Sequence, residues 1–144
     1  MKKMFLVLAA FSLLGFGSCK AKEEAKSVVI DAAHNSRNSL DWAGVYRGEL
    51  PSASGSGINV EITLNNDGTY SISYQYIDRG DELFTENGTF QWNDAGGAIK
   101  LDTNDMPPHY QVGEDTLIQL DLSGEKITGP LADSYVLKKV MIIE

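Results

Sequence analysis

The sequence predicts an all-β protein, a small antiparallel up-and-down β-barrel of about eight strands. Three observations lead there. From Leu40 onward apolar residues recur at every second position in short runs, the period of half-buried strands. Clusters of Gly, Asn and Asp separate the runs at hairpin spacing. No amphipathic helical period follows residue 40. Such a meander leaves two edges if open, and closing it removes them.

The elements follow in order. Trp42, Gly44, Tyr46 and Gly48 share one face of a first strand. Ile58, Val60, Ile62 and Leu64 alternate with Asn59, Glu61 and Thr63 in a second. Asn65-Asn66-Asp67-Gly68 then makes a tight hairpin, since Asn and Gly tolerate positive φ. Tyr70, Ile72, Tyr74 and Tyr76 mark a third strand, alternating with Ser71, Ser73 and Gln75. Phe90 and Trp92 share a face of a fourth, and Gly88 inside it predicts a bulge or bend. A turn over 93–97 leads to Ile99 and Leu101, and Tyr110 with Val112 precede the turn Gly113-Glu114-Asp115. Ile118, Leu120 and Leu122 alternate with Gln119 and Asp121 before Ser123-Gly124, and a last strand runs from Tyr135 to Val140. The expected inward face comprises Val60, Ile62, Leu64, Tyr70, Ile72, Tyr74, Phe90, Trp92, Ile118 and Leu120. Four Tyr and the two Trp suffice to fill a barrel of this size.

Length and charge restrict the function. The chain has 144 residues, room for one domain, and a net charge of −8. Lys2 and Lys3 lie in a segment expected to be removed, which leaves ten basic against twenty acidic residues, a charge of −10. A surface so acidic repels phosphate backbones, so nucleic acid is not an expected partner. A single cysteine excludes an internal disulfide and any Cys-based zinc cluster within the chain.

The first residues read as an address. Met1-Lys2-Lys3-Met4 is a short basic start, and residues 5–17 are uncharged and mostly apolar, too few to span a bilayer. Phe16-Gly17-Ser18-Cys19 resembles the lipobox of bacterial lipoproteins, with Phe16 where Leu or Val is usual. The expected organisation is a signal peptide over 1–18, a lipidated tether over 19–39 holding one helical turn at most, and a barrel domain over 40–144. Cys19 is the expected lipidation site, and two or three acyl chains there would anchor the protein stably. Lys20, in place of the Asp that retains lipoproteins at the inner membrane, favours the outer membrane, facing the periplasm or, through Lys22-Glu23-Glu24, the cell surface.

A run of motifs carries a further resemblance. Residues 34–51 contain Leu40-Asp41-Trp42-Ala43-Gly44-Val45-Tyr46-Arg47-Gly48-Glu49-Leu50-Pro51. Gly57-Ile58, Leu64 to Tyr70, Gly88 to Trp92, Tyr110 to Gly113 and Leu120-Asp121 follow. In that order they resemble the N-terminal domain of NlpE-type lipoproteins, a copper-resistance and envelope-stress family. The resemblance covers about residues 34 to 140 and implies a lipocalin-like barrel. It implies a non-enzymatic binding or stress-sensing module, with a small hydrophobic ligand or an envelope signalling protein as partner; the alternative it offers is copper resistance. The family's Cys-x-x-Cys falls on Ser52 and Gly55 here, and neither replaces a thiolate for a soft metal. No cofactor and no metal site are expected.

Other chemistry is sparse. Asp102, Asp105, Met106 and His109 form a conceivable weak Cu or Zn set, although acidic loops are more often only solvated. No G-x-S-x-G, H-E-x-x-H or phosphate loop is present, so no catalytic residue is assigned. Ser52, Ser54 and Ser56 read as a flexible connector. Arg79-Gly80-Asp81 spells an integrin tripeptide in an expected hairpin loop, and Asn87-Gly88-Thr89 a glycosylation sequon that reads as structural.

Overall fold

Alternation and turn chemistry carry the chain round a closed sheet. The computed structural model describes residues 34–53 and 55–141. The expected signal peptide, Cys19, the expected tether up to residue 33, and Ser54 lie outside the described residues. A single helical turn, α1 (Ser36–Ser39), precedes β1 (Gly44–Leu50), β2 (Ile58–Leu64), β3 (Thr69–Tyr76) and β4 (Phe84–Trp92). β5 (Ala98–Leu101), β6 (His109–Gly113), β7 (Thr116–Gln119) and β8 (Val136–Lys139) complete the order. Each strand pairs antiparallel with the next and β8 returns to β1, giving a closed eight-stranded barrel, the expected fold.

The β2–β3 hairpin forms as its residues dictate. Gly68 adopts φ +83°, Asn65 and Thr69 keep the ladder going through a 2.9 Å bond, and Asp67 accepts from the Thr69 amide at 3.0 Å and hydroxyl at 2.6 Å. Those bonds, the hydroxyl's first, hold the Asp67 carboxyl below its usual range.

Closure draws one residue in two into a common interior. Tyr46, Ile62, Ile72, Tyr110, Leu117 and Leu137 are fully buried there, and Val60, Leu64, Tyr70, Tyr74 and Phe90 nearly so. The interior is therefore filled by side chains. Surface clefts, by contrast, open on the outside: one of about 460 Å³ is edged by Arg47, Glu61, Ser73 and Gln75 on the outward face of β1 to β3.

Two positions correct the sequence reading. Ile118 points outward and only half buried, while Leu117 and Gln119 face in, and Leu122 is 80% exposed beyond the strand. The turn decides this. Glu114 and Asp115, the latter at φ +52°, join Gly113 to Thr116, so Val112 pairs with Leu117, and a one-residue shift exchanges faces. Leu120 is buried as expected, but under the turn that bridges it to Lys126 rather than in the barrel core. Gly88 is the second correction. No bulge occurs, because the β3–β4 register runs unbroken from Thr69↔Thr89 to Tyr74↔Phe84. Glycine is required there because a Cβ would lie 2.9 Å from the Tyr70 ring directly opposite and collide with Asp102.

Antiparallel order sorts the connections. The short turns, over 65–68, 93–97 and 114–115, gather at one end; the long loops, over 51–57, 77–83, 102–108 and 120–135, gather at the other. The last turn of the expected tether is docked on the short-turn end. Asn35 caps α1 by accepting from the Asn38 amide, the Arg37 amide donates to Gly96 at 3.0 Å, and the Ser36 hydroxyl donates to Val112 at 2.7 Å. Trp92, expected inside, is half-buried at this end, where it meets Trp42 and Phe90 edge-on.

Burial pushes the Tyr46 and Tyr70 hydroxyls up from 10.0 to about 12, with nearby carboxylates adding to it (Asp115 and Asp41 for Tyr46, Glu86 and Asp102 for Tyr70), and burial also raises Tyr110. A raised folded value means that the stability these groups contribute is complete below pH 10 and is lost as pH rises toward 12. Alkaline titration should show circular dichroism and tyrosinate absorbance changing together over that window. Complete tyrosine ionisation near pH 10 with the fold intact would contradict the packing. Ile62→Ala should cost ~2–5 kcal/mol, as for a fully buried site, and Ile118→Ala about 1 kcal/mol or less. Denaturant melts showing the reverse order would invert the face assignment.

Candidate functional site

The long-loop end is where this scaffold can vary its chemistry, since strand residues are committed to the wall. Leu50, buried against Ile58, ends β1, and Pro51 starts a seven-residue loop. Gly57 closes it at φ +139°, and a Cβ there would press on Glu49 and Ile77. Gly55 lies on the Asp78 side chain, with a Cβ position only 2.8 Å from its carboxyl carbon. The loops over 51–57 and 77–83 therefore rest on each other, and Asp78 occupies the space that a side chain at 55 would need.

The neighbouring loop is tied to β4. Asp102 accepts from the Thr89 amide at 2.8 Å and hydroxyl at 2.9 Å, and Glu86 accepts from the Thr103 hydroxyl at 2.6 Å and the Asn104 amide at 3.0 Å. The Thr89 hydroxyl, then its amide, hold the Asp102 carboxyl below the usual carboxylate range. This dismantles the conceivable metal set: Asp102 is committed to Thr89, Met106 is buried in the core and His109 begins β6. Among the described residues, no three His, Cys, Asp or Glu side chains gather as ligands. His34 precedes α1 at the short-turn end, so the two histidines stand at opposite ends of the barrel. In the integrin-like tripeptide, Arg79 lies over the Tyr76 ring at 4.6 Å and Gly80 turns at φ +83°. The sequon lies in β4, where Thr89 serves Asp102.

Sequence reasoning missed the pairing of the 51–57 and 77–83 loops and the Thr89–Asp102 clamp, each joining residues more than ten positions apart. The one local signal was Gly88, whose missing Cβ admits Asp102.

Comparison with known proteins bears on the reading. The family model of the NlpE N-terminal domain matches residues 46–130. A crystal structure of a candidate lipoprotein from Shewanella oneidensis is 41% identical, covers 73% of this chain and 94% of that one, and superposes with a TM-score of 0.68. The Cpx pathway activator NlpE of Escherichia coli is 27% identical with a TM-score of 0.48; the match covers 60% of this chain and 46% of that protein. The lipoprotein YedD of Klebsiella pneumoniae is 12% identical with a TM-score of 0.47, covering 72% and 74%. No curated protein matches the sequence.

Without thiolates at 52 and 55, the solubilised protein is expected to bind Cu(I) no better than a generic acidic protein. Ser52→Cys with Gly55→Cys should bind it weakly, because Asp78 crowds position 55 and its charge raises the thiol pKa. Adding Asp78→Ala should tighten binding at least about ten-fold, read by competition with a Cu(I) chelator. Tight stoichiometric binding by the unmodified protein would overturn the loss of the site.

Proposed function

This chain belongs to the NlpE N-terminal domain family, and from that membership we propose that it is a lipid-anchored outer-membrane lipoprotein whose barrel is a non-enzymatic envelope-stress-sensing module. The observation that carries the reading is the 41% identity to a candidate lipoprotein across most of both chains. The lone cysteine behind an apolar leader, Cys19, supplies the matching anchor point. Several acyl chains on one residue hold a protein to a bilayer where one would not. Lys20 supports sorting to the outer membrane, with the barrel facing the periplasm on its tether.

The filled interior favours sensing by the surface over sensing by an enclosed ligand. A signalling protein of the envelope would then meet loops, of which the long-loop end offers four. Copper handling is the weaker branch of the family's repertoire for this chain, because Ser52 and Gly55 supply no thiolate.

The test is fractionation of the full chain with its leader intact. Cys19→Ser should leave the membrane fraction. A variant that stays membrane-bound at high salt would overturn lipid anchoring.

A further inference from the structure

At the short-turn end, the β2–β3 turn, the end of β4 and the segment before β1 enclose a cleft of about 350 Å³. Trp42 and Trp92 form its corner, with ring centroids 5.4 Å apart and planes at 73°. Phe90 backs both edge-on, at 5.8 Å from Trp42 and 6.4 Å from Trp92. The Trp42 indole N–H is held by the Arg37 carbonyl at 3.0 Å, which sets that ring's orientation. Both indoles are half-buried, packed against the core on one side and bordering the cleft on the other. Four exposed polar side chains stand round the corner: Arg37, Asn66, Asp67 and Gln91. The Arg37 guanidinium makes no ion pair among the described residues.

We propose that this corner is a binding site for an uncharged pyranose oligosaccharide. A sugar ring has apolar C–H faces and a rim of hydroxyls. The two indoles, inclined at 73° to each other, line the cleft with apolar ring surface for such faces. The carboxamides of Asn66 and Gln91 and the Arg37 guanidinium each carry two adjacent polar atoms, which suit neighbouring hydroxyls, and Asp67, whose Oδ1 is held by Thr69, adds its second carboxylate oxygen. The volume falls in the range of small-molecule sites, and the lining has their composition, aromatic walls with a few polar groups. An acyl chain would cover those four polar groups and leave them without water, at a cost for each. A bare anion would meet Asp67, which its bonds to Thr69 keep ionised. One cation and one anion at the rim favour neither sign of ligand, hence a neutral one. The inference does not rest on lipidation or on stress sensing.

The chain's two tryptophans are both in this cleft, so tryptophan emission, excited beyond the tyrosine absorption band, reports on it. The full chain, held in a zwitterionic detergent that carries no sugar, is titrated with tetra-N-acetylchitotetraose and with maltotetraose. At least one should give a saturable emission change. Asn66→Ala and Gln91→Ala, both on exposed positions, should each weaken it at least about ten-fold with the thermal melt unchanged. Trp92→Ala should abolish the response, with Trp92→Phe restoring part of the affinity by calorimetry if the alanine variant is misfolded. No saturable change with either oligosaccharide overturns the proposal. So does a response that survives both polar substitutions, or one that dodecanoate elicits instead and that neither sugar displaces, since those mark an apolar crevice.

Discussion

Everything in this molecule depends on closing the sheet between β1 and β8. β5, β7 and β8 are four residues long, too short to stand as an open sheet. The seam itself is brief: Tyr46 pairs with Lys139 and Arg47 with Lys138, and the Val140 amide donates to Val45 at 2.7 Å. Two glycines make it possible. A Cβ at Gly48 would lie 3.0 Å from Leu137 and from the Val136 carbonyl, and one at Gly44 would lie 2.7 Å from the Lys139 side chain. Lys139 then runs past Gly44 and donates to the Asp41 carbonyl at 2.5 Å and carboxylate at 3.1 Å. Closure leaves no edge strand unpaired in the barrel and forces the inward residues into a single volume.

What fills that volume shapes the chemistry available. The buried Tyr46, Tyr70 and Tyr110 occupy much of it, and the Tyr46 hydroxyl donates to the Trp42 carbonyl at 2.7 Å. Among the described residues the Tyr70 and Tyr110 hydroxyls are buried without a hydrogen-bond partner. Side chains thus fill the interior, and the surfaces open to other molecules are the two ends and the outer wall. The ends differ in kind. One carries short turns, a docked helical turn and the aromatic corner; the other carries four longer loops, of which 51–57 and 77–83 rest on each other. A shared barrel with altered loops is how one family spans more than one chemistry. In this chain Ser52 and Gly55 give the 51–57 loop no thiolate, and the Asp78 side chain lies against position 55.

The strands were legible because burial on one face imposes a period of two, which a run such as Ile58 to Leu64 shows without ambiguity. The 65–68 hairpin was legible because its residues are those that tolerate positive φ. β7 was not, because Leu117, Ile118 and Leu120 offer apolar side chains on both faces, and only the two-residue turn before it selects one. Of the surface sites, the sequence marked the 51–57 loop through its likeness to relatives; the aromatic corner it did not mark, since Trp42 and Trp92 lie fifty positions apart and read as core.

The sequence by itself determined the class of fold, most of the inward face, the absence of thiolates from the 51–57 loop and the presence of one cysteine behind an apolar run. These are local properties, set by periodicity, composition and the conformational range of single residues. Only the tertiary structure decided which face of β7 is buried and that Gly88 makes room for Tyr70 and Asp102 instead of a bulge. It also decided that the histidines stand at opposite ends and that two indoles meet at a corner. Each of those is a contact between segments distant in the chain, fixed by strand register and by closure, and no local pattern encodes it.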